Sequence, residues 1–216
     1  MTNYLKLVLI RHAESLGNVD GQLEGQTSTG LSPRGQQQAQ KLGQYLATQP
    51  SPTHLYSSPL ERATETANVL ASISGLAPQV TPLLQELHQG IFQGLTWSEA
   101  SQRYPVLCRQ LTTTLDYQPV PEAETLEAAH QRAVEWHHQL WQQHRPGDLL
   151  WVVSHGGFMQ QLVGVILGCD RTWQIPIHNT AIFEFWLIGP NAQNPDLHNP
   201  ELWKIVKFNQ TPHLLS

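Results

Sequence analysis

Apolar and polar residues follow two alternating patterns along this 216-residue chain. Residues 4–10 form an apolar run interrupted only by the charge of Lys6, which is typical of a strand covered on both faces, as in a parallel sheet. Other stretches place apolar residues three or four positions apart, which is typical of amphipathic helices. The alternation of strand-like and helix-like segments predicts an α/β protein.

Two strand–helix pairs are predicted in the first third of the chain. After the first strand, Ser32 supplies an N-cap and Pro33 the first residue of a helix that ends before Pro50. Residues 53–58 then form a short strand, and the Ser-Pro pair at its end opens a second helix that ends near Gly75. Each of these strands is therefore expected to lead into a helix.

The second half of the chain repeats the pattern. Residues 149–157 contain the most apolar predicted strand, and a helix is expected from about 158 to 167. Before that strand, residues 124–144 carry the apolar stripe of a long amphipathic helix. We expect these elements to join the same layered fold.

The late segments complete the predicted fold. Residues 181–188 and 202–208 resemble strands, and they are expected to form an edge hairpin around the Asn/Pro-rich loop 189–200. No linker or change of composition divides the chain, so residues 1–216 are expected to form one domain. The sequence predicts a three-layer α/β/α sandwich with a mostly parallel central sheet. An exposed strand at 181–188 would offer a seam for a homodimer.

The charge balance limits the partners of the protein. The net charge is −5 with only 12 lysines and arginines, so no diffuse basic surface is expected for nucleic acid or an anionic membrane. No apolar run approaches the length of a membrane span or a secretory signal. The two cysteines lack metal-ligand spacing. A cytoplasmic protein that binds any anion at a local site is predicted.

Polar residues are concentrated where the predicted strands end. Three strands end in polar signatures, namely Arg11-His12, Ser57-Ser58 leading to Arg62, and Ser154-His155-Gly156-Gly157. In open α/β sheets ligands bind at the carboxyl ends of the strands, beside the first turns of the following helices. Each signature alone could be a surface ion pair or a tight turn. Together they indicate a phosphate pocket, because the guanidinium groups of Arg11 and Arg62 match phosphate oxygens bidentately and keep their charge.

Five segments resemble those of a known family, in the order that the family has them. They are "RHAESLGN", "LSPRGQQQA", "YSSPLERATETA", "LLQELHQGIFQG" and "VVSHGG". Over most of its length the chain resembles the histidine phosphatase superfamily, also called phosphoglycerate mutase-like, in its mutase and small-phosphatase branch. The resemblance implies a three-layer α/β/α fold and a reaction that proceeds through a phosphohistidine.

The resemblance also implies the roles of particular residues. It makes His12 the nucleophile, Glu86 the proton donor, and Arg11, Arg62 and His155 the rest of the phosphate pocket. Further substrate contacts are expected at Ser15, Asn18 and Gly156. The chemistry is consistent with these roles, because a neutral imidazole can attack phosphorus and flanking arginines disfavour its protonation. A second histidine is better used as a donor to a phosphate oxygen. No cofactor is expected.

Several carboxylates compete for the role of general acid. Glu14, Glu61 and Glu65 lie near predicted helix starts, where the helix dipole favours the ionised form. Such a carboxylate is poorly suited to holding a proton near neutral pH, which favours Glu86. Only the resemblance places Glu86 at the mouth of the site.

Three functions are compatible with these residues. The first is a metal-independent phosphomonoesterase that acts on a small phosphorylated metabolite, and the second is a 2,3-bisphosphoglycerate-dependent phosphoglycerate mutase. The third, a non-catalytic module that binds a phosphorylated ligand, is disfavoured because every residue needed for turnover is present. Mutases of the family carry a longer basic insertion with paired arginines after the acid, whereas the four arginines between Glu86 and Leu150 are scattered. A phosphatase is therefore favoured.

Other histidines and aromatic residues receive simpler interpretations. His130, His137 and His138 share one predicted helix at the spacing of a helix face, so no metal site is expected there. His178 precedes a segment that resembles the family's "NTA" stretch near the substrate mouth, and a role in a turn is favoured. Substrate specificity is expected in the loops 19–30 and 88–120, whose aromatic residues Trp97, Tyr104 and Tyr117 are expected to serve mainly in packing.

Overall fold

Six strands form a single sheet in the computed structural model, which describes residues 4–169, 171, 173–188 and 199–215. The strands are β1 (Leu5–Arg11), β2 (His54–Ser57), β3 (Gln79–Val80), β4 (Leu149–Ser154), β5 (Ile182–Leu187) and β6 (Trp203–Gln210). Their order across the sheet is β3-β2-β4-β1-β5-β6. The first four strands run parallel to one another, whereas β5 is antiparallel to both of its neighbours, β1 and β6.

Helices connect the strands and cover the sheet. They are α1 (Leu16–Val19), α2 (Pro33–Ala47), α3 (Glu61–Ser74), α4 (Trp97–Arg103), α5 (Pro105–Thr113), α6 (Leu126–Gln143) and α7 (Gly156–Ile166). Single 3₁₀ turns occur at Pro82–Leu84, Gly90–Phe92 and Pro212–Leu214. Among the described residues, no helix is long and apolar enough to cross a lipid bilayer.

The sheet buries a different apolar cluster on each face. Successive side chains of a strand point to opposite faces, so Leu7 and Leu9 of β1 join the cluster with α6 and α7, whereas Val8 and Ile10 join the cluster with α2 and α3. All four side chains are buried. The two clusters confirm the predicted α/β/α sandwich, and β1 to β4 confirm its mostly parallel sheet.

Local sequence signals account for several helix limits. The Ser32 hydroxyl accepts a hydrogen bond from the Gly35 amide at 2.9 Å and so caps α2, which begins at Pro33 as predicted. Helix α3 ends at Gly75, whose φ of +73° lies in the left-handed region that glycine favours. These two predictions are confirmed.

Two predicted helix starts are wrong. Helix α3 begins at Glu61 rather than at the Ser-Pro pair, because the Ser58 hydroxyl bonds to the Leu60 amide and to the ring of His155 instead of capping a helix. Helix α7 begins at Gly156, two residues earlier than predicted, with His155 as its N-cap residue. Both helices therefore start beside the polar strand ends.

The strand predicted at 181–188 and its hairpin with the last strand are confirmed, but the prediction that this strand is exposed is wrong. Its core, β5, pairs with β1 on one side and β6 on the other, so β6 is the edge strand and β5 cannot be a dimer seam. Pairing with β1 is favoured because it buries the apolar side chains of β5 on both faces. Most of the predicted loop 189–200 lies outside the described residues.

Candidate active site

The carboxyl ends of β2, β4 and β1 meet at one edge of the sheet. These strands are neighbours, and backbone hydrogen bonds continue past their ends, from the His12 amide to Ser154 O at 2.9 Å and from the Ser58 amide to Val153 O at 3.0 Å. The three polar signatures are therefore adjacent, although they are far apart in sequence.

His12 is held with one ring nitrogen facing the site. Its Nδ1 lies 2.7 Å from the carbonyl oxygen of Ala13, which can only accept, so the proton is on Nδ1 and the lone pair on Nε2. The Nε–H of Arg62 donates to that Nε2 at 3.3 Å. Burial, followed by the charges of Arg11 and Arg62, lowers the pKa of His12 well below its usual value. The buried ring is thus neutral and carries its lone pair on Nε2, next to Arg62.

His155 lies next to His12, with the two ring centroids 5.0 Å apart. Its Nε2 is 2.8 Å from the Ser58 hydroxyl, while its buried Nδ1 has no hydrogen-bond partner in the part of the chain that the structure describes. Burial, and then the neighbouring His12, lowers the pKa of His155 well below its usual value. If Ser58 donates to Nε2, the proton of the neutral ring is on Nδ1 and can be donated to a ligand.

Both arginines are fixed by backbone carbonyls. Arg62 is only 1% exposed, and its terminal nitrogens donate to Thr27 O at 2.9 Å and Gly25 O at 2.7 Å. Arg11 donates through Nη1 to Ile177 O, and its buried Nε has no partner among the residues described. Two guanidinium groups are thereby pre-positioned with donor capacity left for an anion.

Comparison with known proteins identifies the family of the chain. Residues 7–193 match the model of the histidine phosphatase superfamily (branch 1). This chain belongs to that superfamily. The family predicted from the sequence is confirmed.

Individual relatives agree with this assignment. The chain is 31% identical over 162 residues to phosphoglycerate mutase-like protein 4 of Arabidopsis thaliana, covering 74% of this chain and 70% of the relative. It is 29% identical over 215 residues to phosphoserine phosphatase 1 of Hydrogenobacter thermophilus, covering 97% and 94%. A structure of a putative alpha-ribazole-5'-P phosphatase from Escherichia coli superimposes with a TM-score of 0.81 at 24% identity, covering 97% and 98%, and supports the fold. The chain is a histidine phosphatase-type phosphomonoesterase.

In this histidine phosphatase, Ser15 and Asn18 contact a carboxylate that the sequence analysis missed. Oε2 of Glu24 accepts from the Ser15 hydroxyl and from Nδ2 of Asn18, both at 2.7 Å, and Thr29 donates to Oε1. The same Oε2 lies 3.8 Å from Nε of Arg62. An acidic residue is not expected in an anion pocket, and only its position in the "QLEGQ" loop within the predicted specificity segment pointed to it.

Glu86 lies at the N-terminus of α7, near the carboxyl ends of the same strands. Its carboxylate accepts hydrogen bonds from the amides of Leu87 at 2.9 Å, Phe158 at 2.8 Å and Gly157 at 3.0 Å. A Cβ on Gly157 would lie 2.6 Å from Oε1 of Glu86, so this glycine makes room for the carboxylate. A Cβ on the preceding residue, Gly156, would be 3.6 Å from Nε of Arg11, which places the start of α7 beside the arginine.

The other candidate acids are engaged elsewhere. Glu14 accepts a hydrogen bond from the Ser32 hydroxyl at 2.7 Å. Glu61 accepts one from the Ser28 hydroxyl, and Glu65 accepts one from the Leu31 amide. Proximity to a helix N-terminus does not distinguish these carboxylates from Glu86, because Glu86 also accepts hydrogen bonds from the first amides of a helix. What separates them is that Glu86 lies beside the glycines that follow His155.

The two residues that follow His178, Asn179 and Thr180, form hydrogen bonds with the backbone of Arg11 and His12. The sequence analysis did not assign them a role. Asn179 donates through Nδ2 to His12 O at 3.2 Å, and the Thr180 amide donates to Arg11 O at 3.1 Å. Thr180 has a φ of +58°, an unusual conformation for a branched residue. His178 itself is exposed in the turn that leads into this segment, which agrees with its predicted role in a turn.

Proposed function

We propose that this phosphatase transfers the phosphoryl group of a small phosphomonoester to Nε2 of His12 and then to water, without a metal ion. The observation that carries the proposal is the neutral, buried His12, whose lone pair on Nε2 faces a pocket with two fixed arginines. Phosphoryl transfer depends mainly on positioning and on stabilising charge on the equatorial oxygens, which these groups supply.

The proposed reaction has two displacements at phosphorus. In the first, His12 Nε2 forms a bond to phosphorus while the bond to the ester oxygen breaks, and Glu86 donates its proton to that oxygen. In the second, Glu86 accepts a proton from water, the water oxygen bonds to phosphorus, and the His12–phosphorus bond breaks. His155 donates to a phosphoryl oxygen through Nδ1, and Arg11 donates through Nε.

The environment of Arg132 favours hydrolysis over mutase activity. Its guanidinium donates to Leu83 O at 3.0 Å and Gln85 O at 2.7 Å, and it forms an ion pair with Glu124 at 2.7 Å. Arg132 therefore stabilises residues 83–85, which precede Glu86, and does not serve to bind a substrate carboxylate. The other arginines of this region, Arg103, Arg109 and Arg145, are exposed.

Trapping the intermediate tests the mechanism. The enzyme is mixed with a ³²P-labelled monoester and quenched in base, where a phosphoramidate survives, and the labelled peptide is sequenced. We expect label on His12 in the wild type and in His138→Ala, an exposed-histidine control, and none in His12→Ala. Label that persists in His12→Ala would refute the assignment. Turnover should survive chelation, and vanadate, which mimics five-coordinate phosphorus, should inhibit.

Product analysis separates phosphatase from mutase. With 3-phosphoglycerate and catalytic 2,3-bisphosphoglycerate, we expect little 2-phosphoglycerate compared with phosphate release from the best monoester. Isomerisation faster than hydrolysis would favour the mutase.

The substrate class is proposed from the relatives and the charge balance. Relatives named phosphoserine phosphatase support a small phosphorylated metabolite as substrate, and a screen of such compounds, phosphoserine included, tests this. The net charge of −5 supports the absence of nucleic-acid binding, and we propose a cytoplasmic, single-domain enzyme.

A further inference from the structure

A second pair of histidines lies at the amino ends of the parallel strands, whereas His12 and His155 lie at the carboxyl ends. His54 is the first residue of β2, His144 is the C-cap residue of α6, and their ring centroids are 4.4 Å apart. Oδ2 of Asp148, the residue before β4, lies 3.7 Å from Nδ1 of His144. The phosphoryl transfer proposed above does not use these three side chains.

Hydrogen bonds place the lone pair of His144 on Nδ1. Its Nε2 lies 2.9 Å from the hydroxyl oxygen of Tyr56, and that hydroxyl donates to Oε1 of Gln143 at 3.4 Å. The Tyr56 oxygen therefore accepts from Nε2–H, so Nδ1 of the neutral ring is unprotonated. Within the described ranges, this buried Nδ1 has no hydrogen-bond partner. It faces the carboxylate of Asp148, so two electron-pair donors face one another.

Thr53 orients His54 in a corresponding way. The Thr53 hydroxyl lies 3.1 Å from Leu149 O, to which it donates, and it accepts from the Leu149 amide at 3.0 Å. Its oxygen is also 2.9 Å from Nδ1 of His54. Because the hydroxyl hydrogen is used on the carbonyl, Thr53 accepts from Nδ1–H, and the lone pair of His54 is on Nε2.

The three side chains form a donor set suited to a metal ion of the zinc type. One ligand atom from each of His54, His144 and Asp148 lies within 4.8 Å of the other two. A tetrahedral zinc ion with bonds of about 2.0–2.2 Å holds its ligand atoms roughly 3.3 Å apart, so small side-chain rotations complete the geometry. Imidazole and carboxylate are zinc ligands, and the N–H groups held by Tyr56 and Thr53 supply the outer-shell bonds that orient metal-binding histidines.

The surroundings also favour a cation. The C-terminus of α6 carries the partial negative charge of its unpaired carbonyls. His54 and Asp148 are half-buried, so the three donor atoms lie close to the protein surface.

We propose that His54, His144 and Asp148 bind one divalent ion of the zinc type, with water completing the coordination. The ion would connect the end of α6 to the amino ends of β2 and β4, and so stabilise the fold at a distance from the phosphate pocket. This departs from the absence of a metal site expected from the sequence, because the three ligands are far apart along the chain.

Zinc titration of the full chain tests the proposal. ZnCl₂ is titrated into metal-free protein in a phosphate-free buffer by calorimetry, and the melting temperature is measured with and without zinc. Asp148→Asn keeps the shape of the side chain and removes its charge, whereas Tyr56→Phe removes only the partner of His144. We expect zinc affinity to fall by roughly 10–100-fold in Tyr56→Phe, as for other outer-shell losses, and by at least as much in Asp148→Asn.

A matched control separates this site from other zinc-binding groups. His138 is an exposed histidine on α6, so His138→Ala should retain wild-type affinity and the zinc-dependent rise in melting temperature. Co²⁺ should give the visible absorption of a tetrahedral complex in the wild type and lose it in Asp148→Asn. Equal zinc affinity in the wild type and Asp148→Asn, or no zinc binding by the wild type, would overturn the proposal and leave His144–Asp148 as a simple ion pair.

Discussion

The sheet of this histidine phosphatase has one histidine pair at the carboxyl ends of its parallel strands and another at their amino ends. At the carboxyl ends of the strands, His12 and His155 have ring centroids 5.0 Å apart and lie beside Arg62, which is buried, and Arg11, which is half-buried. At the amino ends, His54 and His144 have ring centroids 4.4 Å apart and lie beside an aspartate. Both pairs combine residues that are distant in sequence. His12 and His155 follow two neighbouring parallel strands, whereas His54 begins β2 and His144 follows the last turn of α6.

The neighbouring charges give the two pairs different chemistry. Burial, reinforced by the arginines, keeps the first pair neutral, and the arginines attract an anion. One ring can therefore attack phosphorus, and the other can donate to a phosphoryl oxygen. The carboxylate beside the second pair supplies a third ligand for a cation. A histidine pair by itself therefore does not define a function, and the charged residues within a few ångströms of it do.

The largest expected effect is a loss of turnover that occurs when the His12–His155 pair is altered but not when the His54–His144 pair is altered. His12→Ala should lower turnover by about 10⁴-fold or more, because it removes the proposed nucleophile. His54→Ala, at the other edge, should retain nearly the wild-type rate. The measurement is phosphate release from p-nitrophenyl phosphate, with circular dichroism to check folding. Comparable losses in both variants would remove the functional distinction between the pairs.

The next effect concerns the proton donor at the arginine-flanked pair. Glu86→Gln should slow phosphoenzyme formation from an alkyl phosphate by roughly 10²–10⁴-fold, and far less from an aryl phosphate, whose leaving group needs no proton. Single-turnover rates on both substrates give the comparison. Glu24→Gln is the matched control, because Glu24 also lies near Arg62 but binds Ser15 and Asn18. A leaving-group dependence that appears in Glu24→Gln instead would transfer the role to that residue.

A third effect tests the electrostatic cause of His12 neutrality. Arg62→Gln should lower kcat/KM by roughly 10²–10³-fold, the range seen when one stabilising donor is lost. Removing this positive charge should also raise the pKa of His12, so the acid limb of the pH–rate profile should move to higher pH. Arg62→Lys keeps the charge and should leave that limb near its wild-type position. An unchanged limb in both variants would mean that burial and Arg11 keep His12 neutral without a contribution from Arg62.

The smallest effect concerns stability and a histidine outside both pairs. Burial, followed by Lys41, lowers the pKa of His213 to about 4, and its Nε2 lies 2.8 Å from the Thr180 hydroxyl. Its unfolded pKa is about 6.5, so between pH 6.5 and 4 the unfolded chain binds more protons. Stability should therefore be complete above this window and fall as the pH is lowered through it.

Urea denaturation at pH 7.5 and pH 5 measures this dependence. The wild type should lose more stability between the two values than His213→Asn, which has no titrating ring at this position. An equal loss in the two proteins would assign the pH dependence to the other buried histidines, such as His12 and His155.

Local sequence patterns were sufficient to predict most of the helices and strands and the residues of the phosphate-binding half of the site. Apolar runs and periodic stripes predicted the strands and helices, and Ser32-Pro33 and Gly75 predicted helix limits, because these signals act within a few residues. Parallel strands with their carboxyl ends at one edge then imply that Arg11-His12 and His155 are near one another. No structure was needed for that inference.

The residues that complete each site could be identified only from the folded chain. Glu24 reaches Arg62 from a loop, and Glu86 reaches the first amides of α7. His54, at the amino end of β2, packs against His144 at the end of α6. The burial of β5 between two strands was likewise decided by sheet order. The physical reason is that long-range contacts depend on how distant segments pack, and the local patterns that predict elements carry no information about that packing.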